Sequence, residues 1–383
     1  MPQEIAKIIE AHSGEIKTVS DNIHAHPELG MKEYQAAAWL TSLLKQWGFK
    51  VIAPCAGVET AFRAEYGSGK PVFCFMAEYD ALEMGHACGH NLIAASALAA
   101  AIATKTMMER EKIPGKLVLL GTPGEEGHGG KLLLIKGGAF ADIEAALISH
   151  PSEQTMPDPG CLSTARYTVS FKGEAAHAAI APDWGRNALD AVMLLFAGIN
   201  AWRQQLPEAA RVHGIVKDGG TAPNIIPETA SAFFYIRADT ETLQAKLEER
   251  FKKIVEGAAL MSDTSCEIQR LDSYYQSSIY NAPLNEMYVK SAAELGLDPK
   301  PANVRAGRGS TDFGNVSQIL PSANLHFSIA KKPLQLHTIE LRDAAGSEYG
   351  FKQAMKAGAA MATIGLRYMK DPEYRNAVQH GRH

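Results

Sequence analysis

The sequence predicts an α/β fold: a mostly parallel central sheet with helices on both faces, plus an inserted α+β domain of ferredoxin-like order. Two observations predict it. Near-continuous apolar stretches, FCFMAEYD (73–80), LVLLGTPGEE (117–126) and AALISHP (145–151), read as buried strands and alternate with helical stretches, the pattern of a parallel sheet. From about residue 164 the periodicity changes to half-exposed strands and amphipathic helices. Their order is strand, helix, strand, strand, helix, strand. The expected division is therefore 1–163 with 278–383 for one domain and 164–277 for an insertion. A length of 383 residues agrees with two domains at roughly 150 residues each.

Taken in order, residues 3–22 and 32–47 carry apolar side chains three and four apart and read as helices. The alanine-rich stretch 92–110 reads as a third. In the insertion, ARYTVSF (165–171) alternates as a strand, and 187–206 is a helix. RVHGIVK (211–217) and ASAFFYIRA (230–238) are strands, 241–260 is an amphipathic helix, and SCEIQRLD (265–272) is a strand.

Composition excludes several functions. Net charge is −4 with no Lys/Arg run, which argues against a nucleic-acid partner. The longest apolar runs, 92–103 and 191–202, are too short to span a bilayer. The N-terminus lacks the order of a signal peptide, so no membrane partner and a cytoplasmic location are expected. Five cysteines, an odd and widely spaced set, argue against a disulfide framework. Cys55, Cys74, Cys161 and Cys266 read as small core residues.

Chemistry-bearing residues gather where strands end. In an open α/β sheet that edge is where ligands bind. Asp80, Glu125, Glu126 and His150 close the three strands, and Cys88 and His90 of GHACGHN sit in a loop before a helix. Asp312 of GSTDFGN and His337 of LQLHTIE follow later. Thiolate, imidazole and carboxylate are the ligands of zinc and similar metals. Singly, each has an ordinary reading: a buried thiol, a helix N-terminus for the paired glutamates, a hydrogen-bonded core histidine. Together at one sheet edge they point to a metal. Two adjacent glutamates at a turn can divide the work, one ligating and the other taking a proton from water, as a hydrolase requires. His24 and His26 read as structural or substrate-rim residues. His86 and His128 are candidate substrate contacts, and His12, His213, His326, His380 and His383 read as incidental. A Cys88 nucleophile paired with His90 is disfavoured, because one intervening glycine gives poor geometry.

The stretches HPELG, AEYDALEMGHACGHNL, GTPGEEGHGG, FKGEAAHAA, APNIIPE, GSTDFGNVS and HTIELRDAAGSE run in the order of the M20 metallopeptidases and amidohydrolases. The chain resembles that family along nearly its whole length, most closely the dipeptidase and aminobenzoyl-glutamate hydrolase branch. The resemblance implies a catalytic domain binding two zinc ions, with Mn2+ or Co2+ as alternatives, and an inserted lid that forms a homodimer. It implies Cys88 as a bridging ligand, with His90, Glu126, His150 and His337 completing the metal set. Glu125 is implied as general base and Asp80 as the acid that orients a ligand. His177 would reach a partner subunit's site. Asn224 and Arg237 would hold a substrate carboxylate, with Ser310 and Thr311 as further contacts. Glu78 stands where many relatives have a metal-binding histidine, and Asn91 where auxin-conjugate amidohydrolases tend to have Asp. The expected activity is amide hydrolysis of small N-acyl amino acids or dipeptides with a free carboxylate, including aminobenzoyl-glutamate-like molecules. The alternative is a catalytically silent metal- or ligand-binding member of the same fold.

Overall fold

The computed structural model describes residues 1–303, 306–332 and 334–382. The chain divides into two compact units, one of Met1–Gly160, Ile279–Gly307 and Thr311–His383, the other of Cys161–Ser278 with Arg308–Ser310.

The larger unit opens with helices α1 (Pro2–Ala25) and α2 (Tyr34–Gln46) and strands β1 (Lys50–Ile52), β2 (Phe62–Ser68) and β3 (Val72–Ala77). Helix α3 (His90–Glu111), strand β4 (Gly115–Gly121), the helical turn α4 (Glu125–His128), helix α5 (Gly130–Lys136) and strand β5 (Ala145–Ser152) follow. The smaller unit comprises β6 (Ser163–Lys172), β7 (Ala176–His177), α6 (Ala188–Arg203), β8 (Arg211–Asp218), β9 (Ile225–Ile226), β10 (Thr229–Ala238), α7 (Glu241–Met261) and β11 (Ser265–Arg270). The chain then returns to the larger unit as α8 (Ala282–Glu294), α9 (Phe313–Ile319), β12 (Ser322–Ser328), α10 (Ile339–Ala345), α11 (Glu348–Lys370) and α12 (Pro372–His380).

The sheet of the larger unit runs β1-β2-β4-β3-β5-β12. Strands β4, β3, β5 and β12 are mutually parallel, and β1 and β2 add antiparallel pairings at one edge. Every residue of β3 is buried, as expected of a strand covered on both faces. Its side chains alternate between two cores. Phe73, Phe75 and Ala77 pack with α1, α3 and α11, whereas Cys74 and Met76 pack with Leu134 of α5 and Phe313 and Val316 of α9. Helix α3 is apolar on all sides, and 89% of its most apolar window is buried inside the unit. It is a core helix, and α11 approaches it at Gly358, where a Cβ would lie 2.6 Å from the Ser96 carbonyl oxygen.

The apolar stretch 73–80 was expected to be strand throughout, but β3 stops at Ala77. There the carbonyl accepts from both the Thr122 amide and the Thr122 hydroxyl. Residues 78–80 are thereby freed as a polar segment beyond the sheet. The stretch 117–126 likewise leaves the sheet after Gly121, into a Pro-Gly turn.

In the smaller unit the long strands run β11-β6-β10-β8, all antiparallel. Numbered in chain order this is 4-1-3-2, and α6 and α7 cover one face. Tyr167, Val169, Phe234 and Ile236 meet Leu195, Ile199, Leu247 and Phe251 there. Asn187 and Thr240 cap the two helices, their side chains accepting from the amides of Leu189 and Leu243, an arrangement worth about 1 kcal/mol each.

Candidate metal centre

Five segments converge beyond the ends of β3, β4 and β5. Glu78 and Asp80 follow β3, and Glu125 and Glu126 form the turn after β4. His150 lies within β5, Cys88 and His90 open α3, and His337 precedes α10. The GHACGHN loop works because of Gly89. It is the α3 N-cap in a left-handed conformation, φ +75°, and a Cβ there would sit 2.8 Å from Cγ of Pro151. Only glycine adopts that conformation without strain in so little space, and the turn sends Cys88 and His90 into one cluster. Ligand atoms of Cys88, His90 and His150 lie within 4.8 Å of one another, as do those of Cys88, Glu126 and His337, and those of His90, Glu125 and Glu126. The Cys88 Sγ to His150 Nε2 distance is 3.5 Å, and His337 Nε2 is 3.2 Å from Glu126 Oε1.

The imidazoles are oriented from behind. His90 Nδ1 donates to Asp80 Oδ1 at 3.0 Å, which turns Nε2 toward the cluster, 3.5 Å from Glu78 Oε2. His150 Nδ1 donates to the Pro151 carbonyl at 2.7 Å, which likewise turns its Nε2 toward the cluster. Such partners set the tautomer and direction of a metal-ligating histidine. The other Asp80 oxygen accepts from the Glu126 amide at 2.9 Å, so one buried carboxylate fixes both a histidine and the glutamate turn. Burial would raise the Asp80 pKa, but His90 and the Glu126 amide hold it down to about 2.

The electrostatics fit a cation. Burial, then repulsion from Glu78, Glu126 and Asp312, push the Glu125 carboxyl well above the usual range. Burial also raises the Cys88 thiol far above an ordinary cysteine, a cost that a bound cation would offset by favouring the thiolate. His90 Nε2 and Glu78 Oε2 are buried without a hydrogen-bond partner. Unpaired buried donors and acceptors are costly, and a divalent ion suits this mixture of sulfur, nitrogen and oxygen donors. Cys88, His90, Glu126, His150 and His337 are the residues that would hold it.

Three features escaped the sequence reading. Lys131, one residue into α5, is fully buried between Glu78 and Asp312. Nothing in GGKLLLIK distinguishes it from a surface lysine. His326, expected to be incidental, lies opposite His150 across the β12–β5 pairing. Their rings stack at 5.6 Å, and burial followed by repulsion from His150 lowers its pKa to about 3. His86, expected to touch substrate, is 1% exposed and stacks on His24; it belongs to the interior because the loop folds under itself before α3. His128 is exposed beside Gly30. Asn91 donates to the Ser20 hydroxyl and the Ala345 carbonyl and ties α1 to the end of α10. His383 lies outside the described residues.

The remaining candidates fall in two places. In the smaller unit, exposed His177 accepts from the Ala179 and Ile180 amides through Nδ1, both at 3.3 Å, so Nε2 points outward. The carbonyl of Asn224 accepts from the Ala178 amide next to it. Arg237 donates to Ser310 Oγ at 2.6 Å and lies over the Tyr235 ring. Thr311, in the larger unit, accepts from the Phe313 amide just before α9.

The sequence pattern of peptidase family M20/M25/M40 matches residues 74–340. The chain is 33% identical to the Xaa-Arg dipeptidase of Mus musculus, over 99% of this chain and 91% of that protein. It is 39% identical to one of the subunits of the p-aminobenzoyl-glutamate hydrolase of Escherichia coli (strain K12), over 75% of this chain and 64% of that relative. A crystal structure of a dinuclear metal-binding M20 peptidase from Bacillus subtilis superposes with a TM-score of 0.74 at 19% identity, covering 94% of this chain and 99% of that one.

Proposed function

Because the chain belongs to peptidase family M20/M25/M40 and is an amide hydrolase of that family, we propose that it cleaves small N-acyl amino acids or dipeptides bearing a free carboxylate, aminobenzoyl-glutamate-like molecules among them. The observation that carries this reading is the convergence of Cys88, His90, Glu126, His150 and His337 beside the buried Glu125 carboxylate. We assign those five as the residues that would hold two zinc ions. When bound, the ions supply Lewis acidity that polarises the substrate carbonyl and acidifies water.

Glu125 is the general base. It takes a proton as water adds to the carbonyl carbon, then returns it to the amine nitrogen as the C–N bond breaks. Burial, with Glu78, Glu126 and Asp312 nearby, raises its proton affinity above that of an ordinary carboxylate, the direction a proton shuttle needs. Asp80 keeps His90 in the Nδ1–H form throughout. From the resemblance we assign His177 of the partner subunit in a lid-mediated homodimer to the carbonyl oxygen. Asn224 and Arg237 are assigned to the substrate carboxylate, which an arginine fork matches in shape, with Ser310 and Thr311 as further contacts.

The test is Glu125→Gln, assayed against dipeptides, N-acyl amino acids and aminobenzoyl-glutamate with added zinc, manganese or cobalt. Metal content is expected to persist while turnover falls at least ~10²-fold. Near-normal hydrolysis by this variant removes Glu125 from the role. Wild-type protein that holds metal yet turns over nothing in the panel is a silent binder.

A further inference from the structure

Beneath the cluster lie three charged side chains that the proposed chemistry leaves unused. Lys131 Nζ is 2.6 Å from Glu78 Oε1 and 2.6 Å from Asp312 Oδ1, and the three side chains are 0%, 2% and 0% exposed. The Lys131 amide also donates to Asp312 Oδ2 at 2.8 Å. Burial alone would lower the lysine's proton affinity, but Asp312 and Glu78 reverse this and hold it firmly charged. A buried ion pair is a poor way to gain stability, because a packed apolar side chain of similar volume often does as well. The arrangement therefore calls for another reason.

Its geometry supplies one. Glu78 uses one oxygen on Lys131. The other, Oε2, has no hydrogen bond and lies 3.5 Å from His90 Nε2, the atom that Asp80 turns toward the cluster. Lys131 also sits one residue after Gly130, where a Cβ would be 1.7 Å from the Pro123 carbonyl oxygen. The first turn of α5 is thus pressed against the TPGEE turn that carries Glu125 and Glu126. Through Asp312 the same lysine is bonded to the start of α9.

We propose that Lys131 is a positioning residue of the metal centre, fixing the Glu78 carboxylate so that its second oxygen is presented beside His90 Nε2 and, with Asp312, locking the turn that carries Glu125 and Glu126. This rests on the metal-dependent reading above. Glu78 thereby holds an anionic oxygen 3.5 Å from His90 Nε2, and its position depends on a lysine outside the set of residues that would hold the metal.

The experiment uses full-length protein, with Zn2+ titrated against a competing chelator and metal-free unfolding followed by circular dichroism. Two variants separate positioning from mere charge balance. Lys131→Met with Asp312→Asn removes one charge of each sign and leaves Glu78 unheld. Glu78→Gln keeps the Lys131–Asp312 pair and neutralises the carboxylate whose second oxygen faces His90. Both are expected to bind zinc about 10- to 100-fold more weakly, the scale seen when groups that orient metal ligands are lost. Zinc affinity within threefold of wild type in folded variants overturns the proposal. Should the double variant fail to fold, Glu78→Gln decides alone by the same threshold. Wild-type protein that binds no zinc defeats the metal-dependent reading itself, a result distinct from variants that match a zinc-binding wild type.

Discussion

The candidate metal cluster and the candidate substrate residues of the smaller unit are held in different ways. Around the cluster, His90, His150 and Glu78 are aimed by buried partners: Asp80 behind His90, the Pro151 carbonyl behind His150, Lys131 behind Glu78, while His337 stands at the exposed rim. In the smaller unit, His177 is exposed and held by two amides of its own turn, while Arg237 rests on one serine hydroxyl and a tyrosine ring. The first arrangement is complete before any ligand arrives. The second leaves His177 exposed and Arg237 half-buried. Substitutions near the cluster should therefore register in metal affinity and stability, and those in the smaller unit in catalysis alone.

The largest expected effect tests the second half of that contrast. His177→Ala should lower kcat by about 10²- to 10³-fold, the scale for losing one donor to a developing oxyanion. Metal content and melting temperature should not change, because the side chain is exposed. A comparable loss of bound metal would erase the distinction between the two regions.

Asp80→Asn tests the first half. The amide presents a donor to His90 Nδ1, which favours the opposite tautomer and places a proton on Nε2. Zinc affinity should drop about 10- to 100-fold. A pH signature accompanies it in metal-free protein. A carboxylate held at about 2 in place of its ordinary 3.8 contributes about 2 kcal/mol to folding. Because the native value is the lower one, that contribution is fully present above pH 4 and lost as pH falls toward 2. The stability gap between wild type and Asp80→Asn should close over that window, as denaturant titrations at stepped pH would reveal.

The smallest effect sharpens the contrast. Arg237→Lys keeps the charge but loses the planar fork. KM for carboxylate-bearing substrates should rise roughly tenfold, about the loss of one charge-assisted hydrogen bond. Stability should hold within ~0.5 kcal/mol. An equal change in KM for a substrate lacking the carboxylate would remove Arg237 from that contact.

Much of this was legible in the sequence, for physical reasons. The parallel strands are apolar because both faces are covered, and acids and histidines at their ends stand out against that background. Gly89 between Cys88 and His90 announced a turn. The antiparallel strands β1 and β2 were missed, since KVI and FRAEYGS are short or half polar. The pairing that buries Lys131 joins positions 78, 131 and 312, and no local pattern predicts contacts so far apart. His326 looked incidental because its meaning depends on strand register, which places it opposite His150 only once β12 lies beside β5.

Helix α3 sets the durability of the centre. His90 is its first residue, and from there to Thr104 no side chain escapes burial, with α11 closed against it at Gly358. That stretch has no solvent-facing side chain through which to open locally, unlike the exposed end of the helix at Glu109–Glu111, so its amides are released to solvent with the cooperative unfolding of the unit. The backbone from which His90 projects therefore persists as long as the fold does, while Asp80 fixes the direction of its ring.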